Sequence, residues 1–286
     1  MFRPRRRTAL RLAVALLLAV LTSAGIGLRP SSARAYHTYE ERLLNTTAYS
    51  LHRRRVRLGL MQLSYGIIDE LQVTTYTMPW ILGAIFQTVA PNLELKSTFY
   101  DRRRLALSVS AGFLTGTIEA TDDSKVRYFI LPVSFAASVR INSDVSTHFG
   151  ALYTAVNGDA DSKPGGDSIE GAVVVDFLQL WGMVEWRLSR VVAFTFTVRW
   201  VPVVSDLVVN GSLDTTNPDV ALQLEADLSE LRNAYAVIPG FVFSWDRANI
   251  RLGVGYSSFF VEGFYVVVPG DVLSNIAPEF DIFVRF

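Results

Sequence analysis

The 286-residue chain contains no cysteine, which excludes disulfide scaffolds, thiolate metal sites, cysteine nucleophiles and lipid anchoring through an N-terminal Cys. It also lacks a second long hydrophobic run. After the ten apolar residues 12–21, the best later stretch, 80–90, is broken by Gly83, Gln87 and Thr88, so no helix is expected to span a bilayer. The balance of 27 basic and 27 acidic side chains hides an asymmetry. Residues 1–35 hold seven arginines and no acid, leaving 20 basic against 27 acidic residues and a net charge of −7 on the remaining 251. That acidity argues against nucleic acid as a partner.

The first 35 residues have the order of an export signal. A basic segment from Arg3 to Arg11 precedes the apolar run, and Ala33-Arg34-Ala35 supplies a small-x-small cleavage site. Ala33 and Ala35 are the expected recognition positions, with a mature chain starting at Tyr36 and residues 36–286 forming one domain.

The mature chain repeats with a period of two. Val192, Phe194, Phe196, Val198 and Trp200 alternate with Ala193, Thr195, Thr197 and Arg199. Residues 105–113 and 250–260 alternate in the same way, which marks strands apolar on one face. Twelve such segments are expected, at about 45–51, 54–66, 69–78, 92–100, 104–116, 126–141, 145–156, 169–187, 191–203, 234–246, 250–262 and 278–286. In the eighth, the apolar parity moves from Val173, Val175 and Phe177 to Val184 and Trp186, and a bulge is expected between them. Tight turns alternate with longer connections at 79–91, 117–125, 157–168, 204–233 and 263–277. A soluble sandwich has no reason for this alternation, whereas a transmembrane barrel does. Aromatic residues collect toward both strand ends: Phe99, Tyr100, Trp186, Trp245 and Phe286 toward the short turns, Trp80, Trp200, Phe260 and Tyr265 toward the loops. The expected fold is all-β, an antiparallel transmembrane β-barrel of about 12 strands, with 10 or 14 as alternatives.

At the end of the chain, Pro278, Phe280, Ile282, Val284 and Phe286 share one face, and Glu279, Asp281 and Arg285 share the other. This terminal strand resembles the assembly signal of Gram-negative outer-membrane β-barrels. The resemblance implies recognition of Phe280, Ile282, Val284 and Phe286 by the barrel assembly machinery, in a membrane of lipid and lipopolysaccharide. Tyr65-Gly66-Ile67-Ile68-Asp69-Glu70-Leu71 also resembles a strand-turn-strand segment of outer-membrane barrels grouped with transporters of hydrophobic compounds, related to fatty-acid channels. With only residues 36–44 ahead of the first expected strand, the long N-terminal plug of fatty-acid channels has no room.

Signals for chemistry are sparse. His148 shares a face with Ser146, Gly150 and Thr154; outer-membrane lipases place a Ser two residues after their His, where this chain has Gly150. A satisfied lumen histidine is the expected role, and no enzyme activity, metal or cofactor is expected. The acidic segment 157–167 resembles a calcium loop but has Ser162 where the turn glycine belongs, and reads as a hydrated surface loop. Parity directs Lys96, Arg140, Arg199, Arg251 and Arg285 inward with Asp176, Asp246, Glu279 and Asp281, and also Arg57 and Glu94. The near balance of sign reads as a paired network filling the barrel; an ion-selective pore is the alternative.

The apolar stretch 79–90 and a helix expected after Asn217-Pro218, with Leu224, Leu228 and Leu231 on one stripe, form an expected lid. Trp80, Ile81 and Phe86 would face those leucines over the outer mouth, for a hydrophobic ligand; an amphipathic helix lying on the leaflet is the alternative. Three functions follow: a narrow channel or transporter for small or hydrophobic solutes, a non-conducting structural or surface-interaction barrel, and, with least support, a lipid-acting enzyme.

Overall fold

The computed structural model describes residues 46–286 apart from 87, 103, 122–123, 163–167, 206, 215–220, 227–232, 246, 258, 261–267 and 270–275. The expected cleavage positions Ala33 and Ala35 therefore lie outside the described residues.

Twelve antiparallel strands close into one barrel. In chain order they are β1 (Val56–Gly59), β2 (Gln62–Ile68), β3 (Leu71–Tyr76), β4 (Asn92–Arg102), β5 (Leu105–Thr121), β6 (Ser124–Arg140), β7 (Val145–Ser162), β8 (Ser168–Arg187), β9 (Val192–Val204), β12 (Tyr235–Ser244), β13 (Ala248–Ser257) and β16 (Ile276–Arg285). Each pairs with the next around the ring, and β16 returns to β1 through Arg57↔Arg285 and Leu58↔Val284. Where β9 leaves the upper part of β8, a hairpin of β10 (Leu207–Asp214) and β11 (Ala221–Ala226) takes its place, with β10 pairing to β8 from Val208↔Val174 to Asp214↔Ser168. A short pair, β14 (Phe259–Phe260) with β15 (Val268–Pro269), stands apart.

The alternation of the sequence is the wall of this barrel. On β9, Ala193, Thr195, Thr197, Arg199 and Val201 are buried inside, while Phe196, Val198 and Trp200 are exposed outside. Exposed outward Tyr and Trp side chains stand at two levels, Tyr100 and Trp186 near the short turns with Phe99 and Phe286, and Tyr153, Trp200, Tyr235 and Tyr256 further up, with exposed phenylalanines such as Phe135, Phe149 and Phe196 between them. Tyr235 and Tyr256 lie 5.4 Å apart. An apolar outer face between two aromatic levels is the surface of a barrel that sits in a membrane. Of the other expected ring members, Trp245 is half-buried beside Phe243. The Phe260 side chain and Tyr265 lie outside the described residues.

The wall has uneven height. At about 3.3 Å per residue, β1 to β3 run only ~13–23 Å, less than a tilted strand needs to cross ~25 Å of apolar band. The expected segment 54–66 is in fact two strands joined by a turn at Leu60 and Met61, which therefore lies at membrane depth. In that setting every backbone polar group needs a partner. Leu60 N–H donates to the Ile282 carbonyl (2.9 Å) and Met61 N–H to Asp281 Oδ1 (3.3 Å). The Met61 carbonyl accepts from Thr77 N–H (3.0 Å), and the Leu60 carbonyl accepts from the Thr77 hydroxyl. Above the low wall lies helix α1 (Thr77–Phe86), in contact with β2 and β5. The stretch expected to be a lid loop is thus a helix at the height where the wall runs out, which accounts for its apolar composition. Trp80 is exposed there and donates to Thr75 Oγ1 (2.9 Å); Ile81 is half-buried.

Other expectations change for similar reasons. Expected connections 117–125 and 157–168 are mostly strand, because β5 to β8 rise above the rest of the wall. The calcium-like segment is β7 as far as Ser162, and 163–167 lie outside the described residues. Residues 221–226, expected in a helix, are strand β11, paired through Val209↔Leu224. Leu228 and Leu231 lie outside the described residues. The bulge expected within β8 is absent from its register with β7, which runs unbroken from Val145↔Trp186 to Ser162↔Ile169. The shift occurs against β9, between Leu178 and Leu180.

Candidate functional site

Where a strand was expected at 45–51, residues 46–52 instead cross the lumen as a strap at the short-turn end. Thr47, Ala48 and Leu51 are buried. Ala48 N–H donates to Ser138 Oγ (2.8 Å) and its carbonyl accepts from Thr98 Oγ1 (2.7 Å). Ser50 Oγ meets Thr98 Oγ1 at 2.7 Å, and Leu51 N–H donates to Gln72 Oε1 (2.9 Å). The barrel therefore holds a short plug, formed by the segment expected as its first strand. The strap's exit explains the Tyr-Gly-x-x-Asp segment. A Cβ on Gly66 would lie 2.1 Å from the His52 carbonyl oxygen, so only glycine lets the strap pass. Asp69 accepts from Arg53 N–H (2.8 Å) and faces His52 Nδ1 at 3.5 Å. The Arg53 N–H above all holds this carboxyl below its ordinary 3.8.

Under the strap, Ser138 on β6, His148 on β7 and Glu185 on β8 form a relay. Ser138 Oγ lies 2.8 Å from His148 Nδ1, and Glu185 Oε2 lies 3.2 Å from His148 Nε2. A carboxylate only accepts, so Nε2 carries the proton that reaches Glu185, and Nδ1 shares a hydrogen bond with the Ser138 hydroxyl. That hydroxyl in turn accepts from Ala48 N–H. The residue types are those of an acyl-transfer triad, but Ser138 is 0 % exposed and its oxygen is held by the strap. What the relay does in this state is tie Ala48 to Glu185. At Gly150, where a lipase-like serine was sought, the Trp181 ring leaves no room for a side chain: a Cβ would lie 2.7 Å from it.

Above the strap is a polar chamber of about 160 Å³. Its lining includes Gln72, Thr74, Tyr76 and Glu94 near β3 and β4, Ser108, Ser110 and Ser134 on β5 and β6, Gln179 and Trp181 on β8, and Lys96, Arg199, Arg251 and Asp281. Of the charges expected inside, Lys96, His148, Arg199, Arg251, Glu279 and Asp281 are all buried in the lumen. Arg57 Nη2 meets Asp281 Oδ2 at 2.5 Å and stacks 4.0 Å over Phe283. Arg251 Nη2 lies 2.6 Å, and Arg199 Nη2 3.8 Å, from Glu279 Oε1. Glu94 accepts from the Tyr76 hydroxyl. The sequence reading of a paired network therefore matches these contacts.

Arg285 also faces inward, opposite Arg57 in the β1–β16 register and 5.4 Å from the Phe283 ring. Two expected charges stand elsewhere. Arg140 sits at the short-turn rim, donating from Nε to the Asn142 carbonyl (3.3 Å). Asp176 lies on the outer face of β8, hydrogen-bonded to the outward Tyr153, because the unbroken β7–β8 register turns Val175 and Phe177 inward. Asp246 lies outside the described residues. Ser138, Glu185, Gln72 and Gln179 were missed, although inward parity with Phe177 and Met183 was a signal available for Gln179 and Glu185.

Toward the long-loop end the lining becomes apolar. Phe177, Val201, Val204, Ala234, Ala236 and Ile238 form one buried cluster, and Ala90, Leu114 and Ile130 form another; Val156 packs against both. The lumen is thus layered: strap and relay at the floor, polar chamber above it, apolar belt beyond. Among the described residues, no group of three His, Asp or Glu side chains is placed to hold a metal ion.

No protein-family model and no curated protein matches the chain. Solved structures that resemble it are membrane barrels. One is a Pseudomonas aeruginosa FadL homologue, with 10 % identity, 68 % of this chain and 59 % of that chain covered, and a TM-score of 0.25. Another is OmpT, an outer membrane protein of Vibrio cholerae, with 14 % identity, coverage of 93 % and 73 %, and a TM-score of 0.34. CdiB from Acinetobacter baumannii gives 8 % identity, coverage of 81 % and 60 %, and a TM-score of 0.30. The chain spans under two thirds of the length of the first and the third.

Proposed function

We propose that the protein is an outer-membrane channel for small polar solutes, closed at its periplasmic floor by the strap 46–52. The observation that carries this reading is a chamber lined by amides, hydroxyls and paired charges directly above a floor made of seven residues that belong to no strand. A barrel needing only a filled interior could use side chains alone. A separate segment across the lumen can leave without breaking the wall. The amides, hydroxyls and charges of the lining suit small polar solutes, while Met61, Ala136, Leu152 and Trp181 give the same chamber apolar surface; the apolar belt acts as a seal at the outer side.

In this reading the chain is exported with cleavage after Ala35, the short turns face the periplasm, and upper β5 to β8 stand among lipopolysaccharide. The barrel assembly machinery engages the last strand. The Ser138–His148–Glu185 relay is a latch and the protein is not an enzyme. The second reading, a non-conducting structural barrel, is favoured by the balanced ion pairs of the lumen.

The test is planar-bilayer conductance of the full mature barrel and of a chain lacking residues 36–52, each checked for folding by heat-modifiable gel mobility. The channel reading expects small or rare currents from the first and steady, larger ones from the second. A folded deletion chain that stays electrically silent selects the structural barrel instead.

A further inference from the structure

We propose that the chamber is a binding site for a neutral, polyhydroxylated solute of monosaccharide size. This rests on the channel reading and names its solute class. Three observations converge on it.

The first is charge. Arg57 meets Asp281 at 2.5 Å, Arg251 and Arg199 share Glu279 at 2.6 and 3.8 Å, and Lys96 lies beside Glu94. Every one of these buried cations already faces a carboxylate, so a ligand of net charge would have to disturb an existing pair to find a partner of its own, which is strongly unfavourable. A neutral ligand meets no such penalty. Ion-paired groups remain strong, directionally fixed hydrogen-bonding partners for hydroxyls.

The second is the chemistry of the neutral lining. Ser110 and Ser134 hydroxyls lie 2.7 Å apart on neighbouring strands, and each can donate or accept, as a sugar hydroxyl does. In the same row of the wall, through Ser134↔Leu152 and Leu152↔Gln179, Gln179 is only 3 % exposed, lines the chamber and has no partner for Oε1 among the described residues. A buried acceptor left unsatisfied is costly, and a ligand hydroxyl would satisfy it.

The third is shape. The Trp181 ring lines the same chamber and is backed by Gly150. An aromatic face is a platform for the apolar C–H face of a pyranose ring. A volume of about 160 Å³ is close to that of a cavity that takes a six-membered ring, roughly 150 Å³.

The experiment is isothermal titration of the folded full-length mature barrel, in detergent, with D-glucose, glucuronate and glucosamine. These probes share a ring and differ in charge. Saturable glucose binding is expected, with at least tenfold weaker binding of both charged analogues. Gln179→Met should weaken glucose binding about tenfold with unchanged heat-modifiable mobility; if that variant does not fold, Ser134→Ala is read in its place. The proposal is overturned if no sugar binds saturably, if a charged analogue binds as well as glucose, or if the folded variants bind like the parent. Conductance after strap deletion without sugar binding leaves the channel standing and removes only this assignment. Sugar binding in a barrel that never conducts removes the channel and keeps the site.

Discussion

Replacing Gly66 by Ala should loosen the strap without touching the chamber. The new Cβ would lie 2.1 Å from the His52 carbonyl oxygen and 2.7 Å from that of Leu51, where ordinary contact begins at 3.4 Å. The strap must therefore retreat by about 1.3 Å, a displacement that forfeits both close packing and hydrogen-bond geometry. Three bonds are at stake: Leu51 N–H to Gln72 Oε1 (2.9 Å), Arg54 N–H to the Gly66 carbonyl (2.8 Å) and Gly66 N–H to the Arg55 carbonyl (2.9 Å). At about 1 kcal/mol net for each, docking weakens by about 3 kcal/mol, or roughly 100-fold in the ratio of docked to undocked strap. Because the chain has no cysteine, Ala48→Cys provides a single thiol at a position that is 0 % exposed. Its maleimide labelling rate reports the undocked population. Labelling should accelerate by between tenfold and 100-fold in the Gly66→Ala background, with folded mobility retained. A rate within twofold of the parent would refute the close-approach argument.

Asp281→Asn removes the carboxylate charge facing Arg57, which is 0 % exposed. Breaking such a buried pair should destabilise the barrel by on the order of 3 kcal/mol, seen as a lower urea midpoint in vesicles; an unchanged midpoint counts against the network. Deleting Phe286 should reduce folded barrel in the membrane, and undiminished yield would end the assembly-signal reading. The Asp69 carboxyl is held below 3.8, chiefly by Arg53 N–H. A depressed acid stabilises the fold above its ordinary pKa and loses that contribution as pH falls through the lowered value. Conductance should stay low from neutral pH down to that range and rise only below it; opening already above 3.8 would contradict the role given to Asp69.

Legibility in the sequence followed the geometry of the wall. Where one face meets lipid and the other a polar lumen, as along β9, period two identifies both the strand and the inward residues. Lys96, Arg199, Arg251, Glu279 and Asp281 were readable for that reason, although parity could not say which would pair. Upper β8 defeats the rule because Val175 and Phe177 belong to an apolar belt inside the barrel, so apolar residues do not mark the lipid face and Asp176 was turned the wrong way. The strap carries the alternation of a strand, since a segment packed in a lumen has the same demands as one packed in a wall. The turn at Leu60 and Met61 is announced only by Gly59, with two apolar residues at its centre and neither Pro nor Asn; its partners are Thr77, Asp281 and Ile282, all remote in sequence. At 221–226 the leucine spacing suggested a helix, but β8 extends past β9 and offers an edge that the β10–β11 hairpin covers, and tertiary pairing overrides the local pattern.

The central claim is that the strap closes the lumen, and a reversible lock tests it most directly. Ser50 Oγ and Thr98 Oγ1 stand 2.7 Å apart across the strap–wall contact, and no native thiol competes with a pair placed there. Bilayer conductance of the Ser50→Cys/Thr98→Cys barrel should be minimal when oxidised and should rise when reductant is added to the same membrane. Equal conductance in the oxidised and reduced states, with the disulfide verified by mass, would contradict the account.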